Sequence, residues 1–470
     1  MTNKKALGFP SDFVWGTATA SYQIEGGAKE DGRGPSIWDT FAATEGKVLG
    51  GDTGEVACDH FHRYPEDVAL MAELGLPTYR FSVSWSRVMP DGRTLNPQGM
   101  AFYDRLVDEL LDHGITPMIT LFHWDLPQAL EDEGGWRVRD TAARFADYAA
   151  AVHGALGDRV PDWTTLNEPY CSAFLGYGTG VHAPGVAEPG TALVAAHHHL
   201  LAHGLGMRAL RAAARPGQRF SLVLNFAPAL TDVDDEAHRE AARKFDGMQN
   251  RIFLDPVLGR GYPEDVLADV AHLGALEPAI RDGDLETITT PLDWLGVNYY
   301  APVRVAPLAD LEAPSNSGLP GLRGFDVLPP RGPLTSFGWE QTPSSLTDLL
   351  LWLRRHCPGL PLVVAENGAA FADTIDSDGR IRDRDRVRYF ADHLRAVHAA
   401  IEQGADVRGY LAWSLLDNFE WALGYSQRFG LIHVDFDTLQ RTVKDSARFF
   451  SGVAASNAVP VDDPAELTVD

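Results

Sequence analysis

The sequence predicts an α/β fold, a single (β/α)8 TIM barrel with long βα loops, from three observations. Strand-like and helix-like segments alternate along the 470 residues, as they do in successive βαβ units. Short apolar runs bounded by Pro or Gly, such as residues 362–365, are typical of parallel strands buried on both faces. Two strand-like runs end at a glutamate, Glu168 and Glu366, and barrel enzymes collect their catalytic groups at the carboxyl ends of strands.

Eight strands with helices between them can be assigned along the chain. The predicted strands are residues 13–18, 78–85, 115–121, 163–167, 220–225, 293–298, 362–366 and 409–413. The predicted helices are residues 64–74, 101–113, 141–156, 191–214, 237–254, 344–356 and 384–403. Residues 301–340 are rich in Pro and Gly, and we expect one long surface loop there that walls the mouth of the barrel. Without a linker or repeat, residues 1–470 are expected to form one domain, with a core at about 9–450 and short tails.

Composition limits the possible partners. The chain has 65 acidic and 40 basic residues, a formal net charge of −25, which disfavours nucleic acid and anionic membranes but not a neutral small molecule. No stretch approaches the ~18 apolar residues of a membrane span, and the first residues lack the apolar run of a signal peptide. Cys58, Cys171 and Cys357 are an odd, scattered set, which favours a reducing compartment. We therefore expect a cytoplasmic protein.

The two glutamates suit the hydrolysis of glycosides. Strand ends so distant in sequence meet only if the strands are neighbours in a closed sheet. A retaining mechanism needs one carboxylate as nucleophile and one carboxylic acid about 5–5.5 Å away, with pKa values that differ. Alone, an Asn-Glu-Pro segment is more often a helix cap and a Glu-Asn-Gly segment a turn. Both at strand ends favour catalysis. Arg80, in the outer half of its strand, could lie beside Glu366 and hold it ionised.

The motifs resemble those of family 1 glycoside hydrolases, the β-glucosidases and their relatives. The segments that carry the resemblance are 13–26, Thr-Leu-Asn-Glu-Pro at 165–169 and Glu-Asn-Gly at 366–368, and the likeness runs from about residue 9 to about 450. It implies a β-glucosidase that hydrolyses terminal non-reducing β-D-glucosyl residues with retention, by double displacement. Glu366 would be the nucleophile and Glu168 the acid/base, with no cofactor and no metal.

The resemblance also implies roles for other residues. Tyr300 would hydrogen-bond the nucleophile, and Asn167 would contact the sugar 2-hydroxyl. Glu420 would accept hydrogen bonds from the 4- and 6-hydroxyls, and Trp339 would stand at the aglycone entrance. The remaining residues implied are Asn298 as support for the catalytic pair, and Gln23, His123, Trp124, Trp413, Trp421 and Phe429 around the substrate. Two positions depart from the family pattern: Ala365 where Thr or Ile is usual, and Tyr170 where Trp often follows Asn-Glu-Pro.

Other interpretations are weaker. His199 and His203 share a helix face, but no third metal ligand is evident, and we expect them to pack behind the barrel. Two alternatives to a β-glucosidase stay open: a 6-phospho-β-glycosidase of the same family, which Glu420 disfavours, and a sugar-binding protein without catalysis. The preference among glucose, galactose and fucose, the aglycone and the oligomeric state are not predicted.

Overall fold

Eight parallel strands close into a barrel in the computed structural model, which describes residues 6–462. The strands are β1 (Val14–Ala18), β2 (Thr78–Ser82), β3 (Thr116–Phe122), β4 (Asp162–Asn167), β5 (Arg219–Asn225), β6 (Trp294–Asn298), β7 (Leu362–Asn367) and β8 (Val407–Trp413). They follow one another around the barrel in chain order, and β8 pairs with β1 to close it. The predicted (β/α)8 TIM barrel is confirmed. The outermost parts of the expected tails, residues 1–5 and 463–470, lie outside the described residues.

A long helix follows each barrel strand. These helices are α1 (His60–Glu73), α2 (Pro97–Asp112), α3 (Asp140–Leu156), α4 (Pro189–Ala212), α5 (Glu236–Asp246), α6 (Pro343–His356), α7 (Arg384–Glu402) and α8 (Asp445–Ser456). Pro97, Pro189 and Pro343 each begin a helix, where the fixed φ of proline fits and its missing N–H costs nothing. Helices cover the outside of the barrel and side chains fill its interior. Both β4 and β7 are therefore buried along their whole length.

Three sequence predictions were wrong in detail. Residues 301–340 are not one irregular loop, because Val303–Pro307 pairs antiparallel with Phe325–Val327 and in parallel with Ala229–Leu230. The predicted strand 78–85 ends at Ser82, and Trp85–Val88 is a helical turn in which Trp85 stacks on Tyr148 of α3. The predicted helix 237–254 is interrupted by a π-helical turn at Gly247–Arg251.

The histidines of α4 pack behind the barrel, as expected. His203 Nδ1 lies 2.7 Å from Thr165 Oγ1 on β4, and His199 Nε2 lies 2.9 Å from Ser172 Oγ. All these side chains are buried. Over the part of the chain that the structure describes, no helix combines the length and apolarity that a membrane crossing requires.

Candidate active site

The two glutamates lie at the same rim of the barrel. Glu366 is the next-to-last residue of β7, and Glu168 directly follows β4. Both side chains line a cavity of about 320 Å³. Glu366 is 3% exposed and Glu168 is 5% exposed. Gly368 lets the end of β7 approach β8, because a Cβ at this position would lie 1.8 Å from the carbonyl oxygen of Trp413.

The backbone is strained at several of the predicted site residues. Trp124, Glu168 and Trp421 have φ values of 78°, 46° and 50°, in the left-handed region that side chains other than Gly rarely adopt. Strain of this kind persists only where the surroundings impose it, and it gathers at functional sites. At Glu168 the N–H donates to the carbonyl of Val223 over 2.9 Å and the carbonyl accepts from Cys171 N over 3.0 Å.

Glu366 is held by a cation and a phenol. Arg80 Nη1 donates to Glu366 Oε1 over 2.7 Å, and the Tyr300 hydroxyl donates to Oε2 over 2.8 Å. Burial raises the pKa of Glu366, while the charge of Arg80 and both hydrogen bonds act against that rise. These groups favour the ionised carboxylate, which is the form of a nucleophile.

Within the described part of the chain, Glu168 forms no ion pair. Asn298 Nδ2 donates to Glu168 Oε1 over 2.6 Å, and Cys171 Sγ lies 3.2 Å from Oε2. Burial, followed by the negative charge of Glu366, raises the pKa of Glu168 to about 8. The environments of the two carboxyls thus differ as an acid and a nucleophile require.

A chain of polar side chains joins the two carboxyls. Arg80 Nη2 donates to Asn167 Oδ1 over 2.7 Å, and Asn298 Nδ2 donates to the same oxygen over 3.1 Å. Asn167 Nδ2 lies 3.0 Å from His123 Nε2. Since Arg80 offers only donors, it fixes which way the Asn167 amide points.

One wall of the cavity presents hydrogen-bond acceptors. Gln23 Nε2 donates to Asn418 Oδ1 over 3.0 Å, to the Phe419 carbonyl over 2.9 Å and to Glu420 Oε2 over 3.4 Å. This fixes the amide and leaves Gln23 Oε1 buried with no protein partner among the described residues. Burial, followed by the charge of Glu366, raises the pKa of Glu420 to about 8.

Aromatic rings form the rest of the wall. His123 lies nearly parallel to Trp413 at 5.8 Å and to Trp421 at 6.0 Å. At the mouth, Trp339 packs 5.0 Å from the Tyr300 ring, and Phe337 stacks on Trp339 at 4.0 Å. Such surfaces suit the apolar face of a sugar ring and an apolar group attached to it.

The structure brings the sequence-predicted residues together in two layers. The layer that lines the cavity contains His123, Trp124, Glu168, Tyr300, Trp339, Glu366, Trp413, Glu420, Trp421 and Phe429. The layer behind it contains Gln23, Arg80, Asn167 and Asn298, each hydrogen-bonded to a lining residue.

One cluster outside the cavity has metal-ligand chemistry. Asp373, Asp417 and His433 bring ligand atoms within 4.8 Å of one another. The ammonium of Lys444, which is buried, lies 2.5 Å from Asp373 Oδ2 and 2.7 Å from Asp417 Oδ1. Because Lys444 already balances both carboxylates, the cluster is an ion-pair network and not a cation site.

The family model for glycosyl hydrolase family 1 matches residues 5–459, nearly the whole chain. The chain belongs to glycosyl hydrolase family 1. It is 51% identical over 457 residues to the thermostable β-glucosidase B of Thermobispora bispora, covering 96% of this chain and 92% of the relative. It is 46% identical to a bifunctional β-D-glucosidase/β-D-fucosidase of Bifidobacterium breve, covering 96% of this chain and 99% of the relative. The crystal structure of a psychrophilic β-glucosidase from Micrococcus antarcticus superimposes with a TM-score of 0.91 at 48% identity, covering 96% and 98% of the two chains.

Several cavity residues of this family 1 chain were not singled out from the sequence. They are Cys171, Leu175, His182, Asn225, Phe337, Ala422 and Leu423. All but Asn225, which ends β5, lie in the connections between a barrel strand and the next long helix, and the path of these connections cannot be derived from apolar periodicity. Phe337 carried a usable signal, because it stands two residues before Trp339 in a Gly-containing segment.

Proposed function

We propose that this chain is a retaining β-glucosidase, with Glu366 as nucleophile and Glu168 as acid/base. The observation that carries the proposal is the difference between the two buried carboxyls: Arg80 and Tyr300 hold Glu366, whereas the side-chain partners of Glu168 are the neutral Asn298 and Cys171. Relatives that are named β-glucosidases, and that this chain matches over nearly their whole length, support the proposal.

In the first step, Glu366 attacks the anomeric carbon while Glu168 gives its proton to the glycosidic oxygen. The bond to the aglycone breaks, and a covalent glycosyl-enzyme forms. The new ester removes the negative charge of Glu366, which is a cause of the raised pKa of Glu168. The pKa of Glu168 falls, so the carboxylate can take a proton from the water that attacks in the second step.

The acceptor-rich wall supports a neutral sugar as substrate. Glu420 presents a carboxyl to the cavity, and Gln23 Oε1 has no hydrogen-bond partner within residues 6–462, so both suit hydrogen bonds from sugar hydroxyls. Trp413 offers a flat surface for the ring. A 6-phosphorylated sugar would bring further negative charge into a cavity that already holds Glu366, and in which Glu420 ionises as the pH rises through about 8, which disfavours a 6-phospho-β-glycosidase. The complete catalytic pair disfavours a sugar-binding protein without activity.

We also propose that the enzyme works in the cytoplasm on small β-glycosides. Cys58, Cys171 and Cys357 are all buried free thiols, which suits a reducing compartment. The net charge of −25 disfavours nucleic acid as a partner.

Proton NMR of an aryl β-glucoside during hydrolysis tests the function and its stereochemistry together. We expect rapid release of the phenol, with β-glucose as the first sugar and α-glucose appearing only by mutarotation. Glu366→Gln, assayed beside it, should release less than a thousandth as much phenol. If α-glucose forms first, Glu366 is not the nucleophile. If neither protein releases phenol, the chain is not a β-glucosidase.

A further inference from the structure

Cys171 is a cavity residue that contacts Glu168 through both its backbone and its side chain. It begins the π-helical segment Cys171–Thr179, two residues after the Asn-Glu-Pro motif, and it is 7% exposed. Its backbone N–H donates to the Glu168 carbonyl over 3.0 Å, and its Sγ lies 3.2 Å from Glu168 Oε2. The residue is therefore tied to the backbone and to the carboxyl of Glu168 at once.

The other carboxyl oxygen of Glu168 faces a group that only donates. Arg80 has no acceptor, so Asn167 turns Oδ1 toward it. The amide atom of Asn298 that lies 3.1 Å from this oxygen must then be Nδ2. The same Nδ2 lies 2.6 Å from Glu168 Oε1. A proton on Oε1 cannot point along this contact, because a hydrogen already occupies it.

A thiol can donate and accept, unlike an amide N–H. Burial, followed by the negative charge of Glu168, raises the pKa of the Cys171 thiol, so Cys171 keeps its hydrogen when the enzyme works near neutral pH. When Glu168 is ionised, the S–H group donates to Oε2. When Glu168 is protonated at Oε2 and no substrate is bound, the sulfur can accept the O–H group, which turns to the glycosidic oxygen once a substrate enters. In the free enzyme the contact persists in both protonation states.

We propose that Cys171 is a positioning residue that places the acidic proton of Glu168 on Oε2 and holds the same oxygen when Glu168 acts as base. The proposal rests on the acid/base role proposed for Glu168. It adds an assignment of which oxygen carries the proton: Asn298 anchors Oε1, so the acidic proton is on Oε2, beside Cys171.

The pH dependence of kcat/KM tests this assignment. The S–H group favours the ionised carboxylate and so acts to lower the pKa of Glu168. Cys171→Ala removes this donor, and we expect the alkaline limb of the kcat/KM profile to move upward by roughly half a pH unit. Cys171→Ser keeps a donor and an acceptor, so its alkaline limb should not move upward.

Two further variants separate hydrogen bonding from the filling of space. Cys357→Ala makes the same change at a buried thiol outside the cavity and should leave the limb in place. Cys171→Val has nearly the volume of Cys but no hydrogen-bonding group, and it should shift the limb as Cys171→Ala does. It also supplies the test if the Ala variant fails to fold.

The outcomes distinguish failure of this proposal from failure of the acid/base role proposed for Glu168. If the alkaline limb stays in place in both Cys171→Ala and Cys171→Val, the thiol does not have the proposed role. The same conclusion follows if the limb moves in Cys171→Ala but keeps its wild-type position in Cys171→Val. An equal upward shift in Cys171→Ser and Cys171→Ala does so as well. Failure of the acid/base assignment has a different signature: Glu168→Gln would retain full activity on substrates with poor leaving groups, whatever the Cys171 variants do.

Discussion

Arg80 and Glu366 form a buried ion pair, with Arg80 Nη1 2.7 Å from Glu366 Oε1 and both side chains at most 4% exposed. The other guanidinium nitrogen, Nη2, holds Asn167. One cation therefore acts on the charge of the nucleophile and on the orientation of the amide next to the acid. Removing it should change a pH profile as well as a rate.

We predict that Arg80→Met moves the acidic limb of kcat/KM to higher pH. The charge of Arg80 acts to lower the pKa of Glu366, so without it Glu366 ionises only at higher pH. Breaking a buried pair also costs about 3–5 kcal/mol of stability. Arg80→Lys keeps the charge but cannot reach Glu366 and Asn167 together, so we expect a smaller shift. A folded Arg80→Met enzyme with an unmoved acidic limb would contradict the prediction.

The second prediction concerns the charge that Glu366 places on Glu168. This charge is the second cause of the raised pKa of Glu168, after burial, so the pKa of Glu168 should fall below about 8 in Glu366→Gln. Carbon-13 NMR of labelled glutamate carboxyls across a pH titration measures it directly. Glu402→Gln, at an exposed position on α7, is the control and should leave the Glu168 titration unchanged. If the pKa of Glu168 does not fall in Glu366→Gln, the acid does not respond to the charge of its partner as predicted.

The sequence allowed prediction of the barrel, and of the position of the two glutamates at its rim, because both depend on local patterns. A short apolar run such as 362–365 indicates a buried strand, and a glutamate at its end must lie at the rim. The contacts of Cys171 and the orientation of Asn298 were beyond prediction, because they depend on side chains that only the closed barrel brings together. Trp85 was misassigned to a strand because its burial comes from stacking on Tyr148.

The prediction of one long loop at residues 301–340 was wrong for another reason. Its strand Val303–Pro307 has one polar residue, Arg304, so it lacks the alternation between apolar and polar residues that reveals a half-buried strand. Its partner Ala229–Leu230 has two residues, too few for any periodicity. A small sheet held by such short strands is visible only in three dimensions.

The third prediction is a conflict between activity and stability at Glu420. The folded-state pKa of Glu420 is raised to about 8 from 4.5, so its stabilising contribution is present below pH 4.5 and is lost as the pH rises to about 8. Glu420→Gln should therefore have a higher free energy of unfolding than the wild type at pH 8, by about 1–2 kcal/mol, with a smaller difference at pH 5. Its kcat/KM at pH 8 should fall at least tenfold, because a partly ionised acceptor for the sugar is replaced by a neutral amide. Calorimetry at both pH values measures the stability, and a difference that does not grow with pH would contradict the prediction.

The fourth prediction concerns phosphate. At pH 8 Glu420 is partly ionised, because its pKa is about 8, and a sugar 6-phosphate carries a charge near −2; these like charges repel strongly in a partly desolvated cavity. We expect an aryl β-glucoside 6-phosphate to be hydrolysed at least a hundredfold more slowly than the plain glucoside, as measured by kcat/KM. Glu420→Gln removes one of the charges, so the ratio between the two substrates should narrow. Equal turnover by the wild type would overturn the preference for a neutral sugar.

The last prediction separates the roles of the two glutamates by the product that azide gives. In Glu168→Ala, Glu366 can still form the glycosyl-enzyme from a dinitrophenyl β-glucoside, but no base activates water. Azide needs no base, so it should restore turnover and attack the face opposite Glu366, giving a β-glycosyl azide.

In Glu366→Ala the covalent intermediate is lost, and a space opens on the α face of the sugar. Azide entering it should attack once, with Glu168 still present as acid, and give an α-glycosyl azide. Proton NMR of the anomeric hydrogen distinguishes the two products from the same substrate and the same nucleophile. Because each variant removes one carboxyl and exposes one face, a β azide from Glu366→Ala with an α azide from Glu168→Ala would mean that the two roles are exchanged. The same anomer from both would mean that the carboxyls do not act on opposite sides of the sugar.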